Sequence, residues 1–322
     1  MNVFDRDDIY NINRHSNLSA GNIQKLLDDN VYSSPDNWKK FLRLFLFTLG
    51  VGFSAAGIIF FFAYNWDNIQ KFAKLGIIEG LIVILTVIVI IPKMNNLVRN
   101  IILSTAAVMV GVLFAVFGQI YQTGADAYDF FMGWTIFITL WVVISNFPPL
   151  WLIFIALLNT TLVLYNVQVS QNWSEMLIYL LLIIINTLFI SGFSIAKKYN
   201  ENIQSPGWFI KVIGIFVALV ATIGITRGIE MSFHDKFEMD FIWLIILTII
   251  IYTIGIINGY RQKRIFEMSI IPVSLLIIIA SYLVNQLQSF GIFLFNTFII
   301  VVFVTFLIRF LIKLQWKWSN EK

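Results

Sequence analysis

Long apolar runs separated by short polar turns dominate this sequence. A helix needs roughly 20 apolar residues, at about 1.5 Å of rise each, to cross a hydrocarbon core about 30 Å thick. Ten segments meet or approach this length, at about 41–64, 75–92, 101–122, 130–147, 150–167, 176–196, 210–229, 241–259, 269–287 and 290–312. These runs lack the alternation of barrel strands, so the pattern predicts an all-α polytopic transmembrane bundle of about ten spans.

The polar stretches divide the chain into four parts. Residues 1–40 form an N-terminal segment with one short helix, which we expect Ser19 to cap. Residues 41–147 hold the first four spans, residues 148–314 hold the remaining six, and residues 315–322 form a tail. The fourth and fifth spans meet at Asn146-Phe147-Pro148-Pro149, where two prolines predict a tight hairpin turn.

Basic residues near the span ends predict that both termini are cytoplasmic. With an inside N-terminus, most of the 22 Lys and Arg residues fall in cytoplasmic segments. The outer segments carry only Lys71, Lys74, Arg227 and Lys236. Trp38 at one end of the chain, and Trp316 with Trp318 at the other, are predicted to anchor it at the membrane interface.

Composition supports lipid as the main solvent of the chain and excludes several kinds of chemistry. Hydrophobic residues make up 59% of the sequence and charged residues 12%, against about 25% charged in soluble domains. The basic residues form short clusters between spans, which argues against nucleic acid as a partner. Without cysteine, disulfides and thiolate sites are excluded, and His15 and His234 fall on opposite sides of the membrane. We therefore predict no catalytic residue, no metal ligand and no cofactor.

The most polar outer turn joins the third and fourth spans, from Gly118 to Asp129. It contains Gln119, Tyr121, Gln122 and Asp126. Gln119 and Gln122 share a face if the third helix continues, and Gly124 then provides the turn. Two interpretations stay open: an outward-facing hydrogen-bonding site, or a polar helix–turn–helix cap that satisfies its own backbone.

A second outer feature lies between the first and second spans. Trp66 and Asp67 follow the first span, and Glu79 lies inside the second, about 6 Å below the interface. A charged side chain inside a span is costly, so we expect Glu79 to face protein or water. Glu79 then serves either as structural glue or in binding a proton or ligand. The predicted topology places both features on one membrane face.

Other polar residues lie within the spans or at their outer ends. The mid-span residues Asn159, Thr160, Asn186 and Asn296 are interpreted as interhelical hydrogen-bonding groups. Further outer polar groups are Asn166, Gln168, Gln171, Asn285, Gln286 and Gln288.

Three stretches resemble the motifs of a bacterial family catalogued as domain of unknown function 2157. They are Phe61-Phe62-Ala63-Tyr64-Asn65-Trp66-Asp67, Lys74-Leu75-Gly76-Ile77-Ile78-Glu79 and Gly118-Gln119-Ile120-Tyr121-Gln122-Thr123-Gly124-Ala125-Asp126-Ala127-Tyr128. The resemblance covers about residues 15–150. It implies a multi-pass protein of the bacterial inner membrane with unassigned activity, and it implies no catalytic residue.

Two hypotheses for function follow. The leading one is outward-facing binding or transport of a small polar or lipid-linked molecule. Its expected ligand-binding residues are Glu79, Gln119, Tyr121, Gln122, Asp126, Asp67 and Trp66. The alternative is a non-enzymatic scaffold for a membrane-protein partner, suggested by small residues on helix faces such as Gly50, Ser54 and Gly57. A membrane-embedded enzyme acting on lipid is a third and weaker interpretation.

Overall fold

The computed structural model describes residues 19–30, 35–64, 70–91, 94–121, 124, 126–170, 172–200, 203–234, 238–286 and 290–320. Within these ranges every long regular element is a helix. The helices are α1 (Ala20–Asn30), α2 (Pro35–Tyr64), α3 (Lys71–Ile90), α4 (Asn96–Tyr121), α5 (Ala127–Ser145), α6 (Pro148–Tyr165), α7 (Glu175–Tyr199), α8 (Gly207–Phe233), α9 (Met239–Arg261), α10 (Ile265–Gln286) and α11 (Phe290–Asn320). A five-residue π-helical turn, Asn166–Ser170, continues α6.

The described helices confirm the prediction of an all-helical membrane protein with about ten spans. Among the described residues, the nine helices α3 to α11 are long and apolar enough to cross a membrane. Helix α2 has 30 residues, and its described apolar stretch is Phe41–Ser54. Helix α1 also forms as predicted, with the Asn22 backbone N–H 3.4 Å from Ser19 Oγ.

The chain divides into two compact units, Met1–Leu113 and Phe114–Lys322. In the first unit, the buried apolar side chains include Ile78 on α3 and Leu103, Ala106 and Met109 on α4. The second unit contains the candidate site described below.

The predicted hairpin between α5 and α6 is confirmed. Asn146 ends α5 in the left-handed conformation, with φ of 46°, and Phe147 precedes α6. The two prolines occupy the first turn of α6, where the missing N–H of proline leaves no hydrogen bond unmade. The Asn146 side chain also accepts a hydrogen bond from the backbone N–H of Gln204, at 3.1 Å.

Helices α4 and α5 pack through a reciprocal pair of glycine–phenylalanine contacts. A Cβ atom placed on Gly118 would lie 2.5 Å from the ring of Phe130. A Cβ atom on Gly133 would lie 2.9 Å from the ring of Phe114. Each glycine therefore provides the space that a ring from the other helix fills, as small residues do in membrane bundles.

The core of the second unit lies among α7, α8, α9 and α10. Its fully buried side chains include Met176 and Ile183 on α7, Ala221 on α8 and Leu244 on α9. Within this core, Ser274 Oγ lies 2.6 Å from both the Thr222 and Tyr252 hydroxyls. The hydroxyl cluster joins α8, α9 and α10 without leaving its central group unpaired in hydrocarbon.

The predicted interhelical hydrogen bonds are confirmed for three of the four residues. Asn159 on α6 and Asn186 on α7 exchange two side-chain hydrogen bonds, at 3.2 and 2.8 Å. Asn296 on α11 donates to the backbone carbonyl of Ala280 on α10, at 3.2 Å. The prediction for Thr160 is wrong, because its hydroxyl donates to the Ala156 carbonyl one turn back on the same helix.

The tryptophans near the C-terminus have different environments. Trp316 is 69% exposed, as an interfacial anchor requires. Trp318 is only 6% exposed, and it packs with Met268 and Leu314. Its ring also contacts Tyr260 edge-on, with centroids 6.0 Å apart. Trp318 is therefore a core residue rather than a solvent-facing anchor.

Candidate binding site

Polar side chains join five helix ends at one end of the second unit, which we call the rim. The rim comprises the starts of α5, α7 and α9, the end of α6 with its π-helical turn, and the last turns of α8. It thus contains one end of every helix from α5 to α9. The connections below show how these ends are held together.

The start of α5 is tied to the π-helical turn by a hydrogen bond between residues far apart in the sequence. The first backbone N–H groups of a helix lack acceptors within the helix. At α5, the Tyr128 N–H donates to the side-chain oxygen of Gln168, at 2.8 Å. The Asp126 N–H donates to the Asp129 carboxylate, at 3.2 Å. Two exposed carboxylates therefore lie at the start of this helix, where the helix dipole favours negative charge.

A guanidinium joins α7 and α8 at the rim. Arg227 lies 3.3 Å from the Glu175 carboxylate on α7 and 2.8 Å from the Glu230 carboxylate on its own helix. The Tyr179 hydroxyl donates to Glu175, at 3.2 Å. Because the three charged side chains are 41–48% exposed, we expect each ion pair to stabilise the fold by less than about 1 kcal/mol.

The start of α7 is capped by residues that precede and begin α9. The Ser174 hydroxyl accepts the Leu177 N–H, at 3.0 Å, and donates to the Asp240 carboxylate. Glu238 accepts the Met176 N–H, at 3.1 Å. Glu238 thus satisfies a backbone N–H of α7 directly, and Asp240 holds the Ser174 hydroxyl that satisfies another. Among the described residues, no three His, Asp or Glu side chains are placed to bind one metal ion together.

Three aromatic rings follow one another along the rim. The Tyr128 ring contacts Tyr165 edge-on, with centroids 5.3 Å apart. Tyr165 in turn contacts Trp173, again at 5.3 Å. Tyr and Trp are enriched where membrane helices meet the lipid–water interface. The rings are therefore consistent with an interfacial position for the rim.

A groove begins beside these rings and runs between α5, α6 and α7. Its volume is about 420 Å³, within the range of about 300–1,000 Å³ typical of ligand pockets. The residues lining it are Tyr128, Met132, Thr135, Ile136, Leu158, Thr161, Leu162, Tyr165 and Ile185. The groove therefore joins a polar rim to an apolar interior.

The groove is open to the surroundings of the unit. Met132 and Ile136 of its lining are 43% and 59% exposed. Since the lining lies within apolar helices of spanning length, hydrocarbon is the solvent available to fill it.

The structure brings part of the predicted site to the rim end of the second unit. Gln119 and Tyr121 are exposed in the last turn of α4, and the Tyr121 ring lies tilted against the Phe117 ring, with centroids 4.7 Å apart. Asp126 is exposed immediately before α5. Gly124, between α4 and α5, has φ of +66°, a conformation that favours glycine.

Glu79 is exposed on α3, two turns after the helix start at Lys71. The expectation that it faces protein or water stays a prediction, because depth along a span does not specify the direction in which a side chain points. Trp66, Asp67 and Gln122 lie outside the described residues. Convergence of these four residues with the rim stays a prediction.

Sequence reasoning missed the charged part of the rim. Arg227 served only to assign topology, and the carboxylates Glu175, Glu230, Glu238 and Asp240 had no assigned role. The available signal was the placement of Glu175 and Asp240 in the first turns of apolar helices, where acidic side chains interact with free N–H groups. Their pairing across 52 to 66 residues required the fold.

The helices and their apolar surfaces define the class as polytopic helical membrane protein. Residues 16–151 match the family described as "Predicted membrane protein", domain of unknown function 2157. The resemblance seen in the three sequence motifs is thereby confirmed for this segment, which extends from before α1 into the first turn of α6. No curated protein and no solved structure matches the chain.

Proposed function

We propose that this protein binds or transports a small polar or lipid-linked molecule, recognising it at the rim on the outer side of a bacterial inner membrane. Both termini then lie in the cytoplasm, as the distribution of basic residues predicts. The proposal combines a polar recognition surface at the membrane interface with an apolar groove that continues into the bilayer.

The observation that carries the proposal is the bond between the Tyr128 N–H and Gln168, at 2.8 Å. It joins the start of α5 to the end of α6. The Asp126 and Asp129 carboxylates lie at the start of α5, and Tyr128 of the same helix lines the groove. Ligand sites of this kind combine a mostly apolar wall with a few fixed polar groups. The same arrangement suits a molecule with one polar and one apolar part.

In this proposal, the polar part of the ligand contacts the residues predicted from the sequence. Gln119, Tyr121 and Asp126 are exposed and available for contact. Gln122, Asp67, Trp66 and Glu79 complete the proposed set. Exposure suits Glu79 to a role in ligand contact better than to one as structural glue between helices.

Headgroup-dependent stabilisation in a lipid bilayer tests the proposal. The thermal unfolding midpoint is measured in phosphatidylcholine nanodiscs doped with lipids that differ only in headgroup: phosphatidylethanolamine, phosphatidylglycerol or a neutral glycolipid. We expect one headgroup to raise the midpoint of the unsubstituted protein by mass action. Asp126→Asn and Gln119→Ala should remove that increase.

Gln204→Ala is the matched control, because Gln204 is also an exposed glutamine but lies at the opposite end of the unit. The increase should persist in this variant. If no headgroup raises the midpoint, or if the rim variants respond like Gln204→Ala, recognition at the rim is refuted.

A second candidate function, a non-enzymatic scaffold for a membrane partner, is favoured by open space on α2. Cβ atoms on Gly50 and Gly57 would meet nothing within 4 Å, and Ser54 between them is exposed. Such faces permit close helix–helix approach. Under this function, Gly57→Leu should abolish co-purification of a partner while Gly192→Leu, an equally open position on α7, should not. An unchanged partner set in Gly57→Leu contradicts it.

A further inference from the structure

We propose that the groove between α5, α6 and α7 holds one hydrocarbon chain of a lipid. The ammonium-bearing headgroup of this lipid lies at the Asp126 and Asp129 carboxylates of the rim. This inference rests on the proposed function, since it takes the rim to be the recognition surface. It goes further by naming the ligand class, an amphiphile whose headgroup carries a primary ammonium group, as phosphatidylethanolamine does and phosphatidylcholine does not, and by assigning a separate site to its tail.

The depth of the groove matches one leaflet of a bilayer. Along α5 the lining runs from Tyr128 to Ile136, a distance of about 12 Å at about 1.5 Å per residue. Half of a hydrocarbon core of about 30 Å is about 15 Å. Tyr128 and Tyr165 mark the rim end of the groove, and Ile136, Leu158 and Ile185 mark its deep end. A chain lying parallel to the helices therefore fits within a single leaflet.

Apart from the two tyrosine hydroxyls at its rim end, the groove wall offers a chain only apolar contact. Its two threonines donate their hydroxyls within their own helices, Thr135 to the Phe131 carbonyl at 2.7 Å and Thr161 to the Leu157 carbonyl at 2.8 Å. Met132 and Ile136 are 43% and 59% exposed while also lining the groove. The wall thus opens to the lipid-facing side of α5, which gives a chain a lateral route of entry.

The charge of the rim selects the headgroup. Lipid tails are as apolar as the groove, so burial of the tail supplies little preference for one lipid over another. Asp126 and Asp129 are both exposed at the start of α5. An ammonium group carries positive charge and donates up to three hydrogen bonds, which complements these carboxylates. An anionic headgroup without an ammonium would meet like charge.

Depth-resolved photo-crosslinking tests the tail site. The protein is reconstituted in phosphatidylcholine nanodiscs with phosphatidylethanolamine that carries a diazirine either near the carboxyl end or near the methyl end of one chain. Crosslinked residues are identified by mass spectrometry. The probe near the carboxyl end should label Tyr128, Met132 or Tyr165, and the probe near the methyl end should label Ile136, Leu158 or Ile185.

Variants that fill the groove show whether the labelling depends on its shape. Thr161→Trp should remove the deep crosslinks, and Met132→Trp, at a more exposed position, provides a second filled variant if the first does not fold. Val163→Trp is the matched control, because Val163 lies on α6 at similar depth and is exposed outside the groove. It should leave the groove crosslinks unchanged.

The outcomes separate this inference from the proposed function. The inference is overturned if the groove residues are crosslinked no more strongly than lipid-facing side chains such as Leu188. It is also overturned if neither filled variant changes the crosslinking of the groove. In both cases, headgroup-dependent stabilisation would still support the proposed function. A phosphatidylglycerol probe that labels the groove as strongly as phosphatidylethanolamine overturns the assignment of the headgroup. Labelling confined to the groove, and stronger for phosphatidylethanolamine, supports both parts.

Discussion

The reciprocal pair between Asn159 and Asn186 allows a prediction in which two substitutions together are less harmful than one of them alone. Asn159 is 7% exposed and Asn186 is 1% exposed. Their side chains exchange two hydrogen bonds, and the Asn186 amide also donates to the Leu182 carbonyl, at 2.8 Å. The pair joins α6 to α7 directly beside groove residues Leu158 and Ile185.

The magnitude follows from the groups that each substitution leaves behind. Asn186→Leu strands the Asn159 amide without its partner, and an unsatisfied buried polar group costs about 1–3 kcal/mol. Asn159→Leu is milder, because the Asn186 amide keeps its bond to Leu182. The double substitution strands no amide, and leucine keeps the branching of asparagine at Cγ. We expect the double variant to be about 1 kcal/mol more stable than Asn186→Leu.

Equilibrium unfolding in mixed micelles of dodecyl sulfate and a mild detergent measures these differences through tryptophan fluorescence. The four proteins form a double-mutant cycle. Independent sites add within about 0.3–0.5 kcal/mol, so the expected coupling is resolvable. Additive effects of Asn159→Leu and Asn186→Leu would refute the hydrogen-bonded pair.

Two further predictions concern packing. Gly118→Ala should destabilise the protein by about 1–3 kcal/mol through overpacking, since the new Cβ atom would lie 2.5 Å from Phe130. Gly192→Ala, with nothing within 4 Å, should leave the same unfolding midpoint unchanged or raise it, because alanine favours a helix more than glycine does. Equal midpoints for the two variants would contradict the contact. Trp318→Leu should lower the unfolding midpoint more than Trp316→Leu does, because Trp318 is 6% exposed and Trp316 is 69% exposed. A larger decrease for Trp316→Leu would exclude a core position for Trp318.

The spans could be predicted because one physical requirement sets their length. A lipid-embedded backbone must satisfy its own hydrogen bonds, so an apolar run of about 20 residues indicates a helix wherever it occurs. The Asn146–Pro149 hairpin was predictable for a related reason, since proline restricts where a helix can begin. Both features depend on residues adjacent in the sequence.

The site was only partly predictable because its contacts join distant residues. Gln119 and Asp126 were identified because they lie in the most polar of the predicted outer turns. The Gln168 bond to Tyr128 spans 40 residues, and no local pattern indicates that pairing. The direction of Glu79 also depends on helix rotation, which hydropathy alone does not determine. The groove arises from three helices together, so it has no signature in any one of them.

Labelling from outside the cell tests most directly the claim that the rim is an outward-facing recognition surface. The chain has no cysteine, so Asn172→Cys at the rim and Lys198→Cys at the other end of α7 each introduce a unique thiol at an exposed position. With a membrane-impermeant maleimide on intact cells, we expect Asn172→Cys to be labelled and Lys198→Cys to be labelled only after permeabilisation. The opposite pattern would place the rim in the cytoplasm and contradict the account.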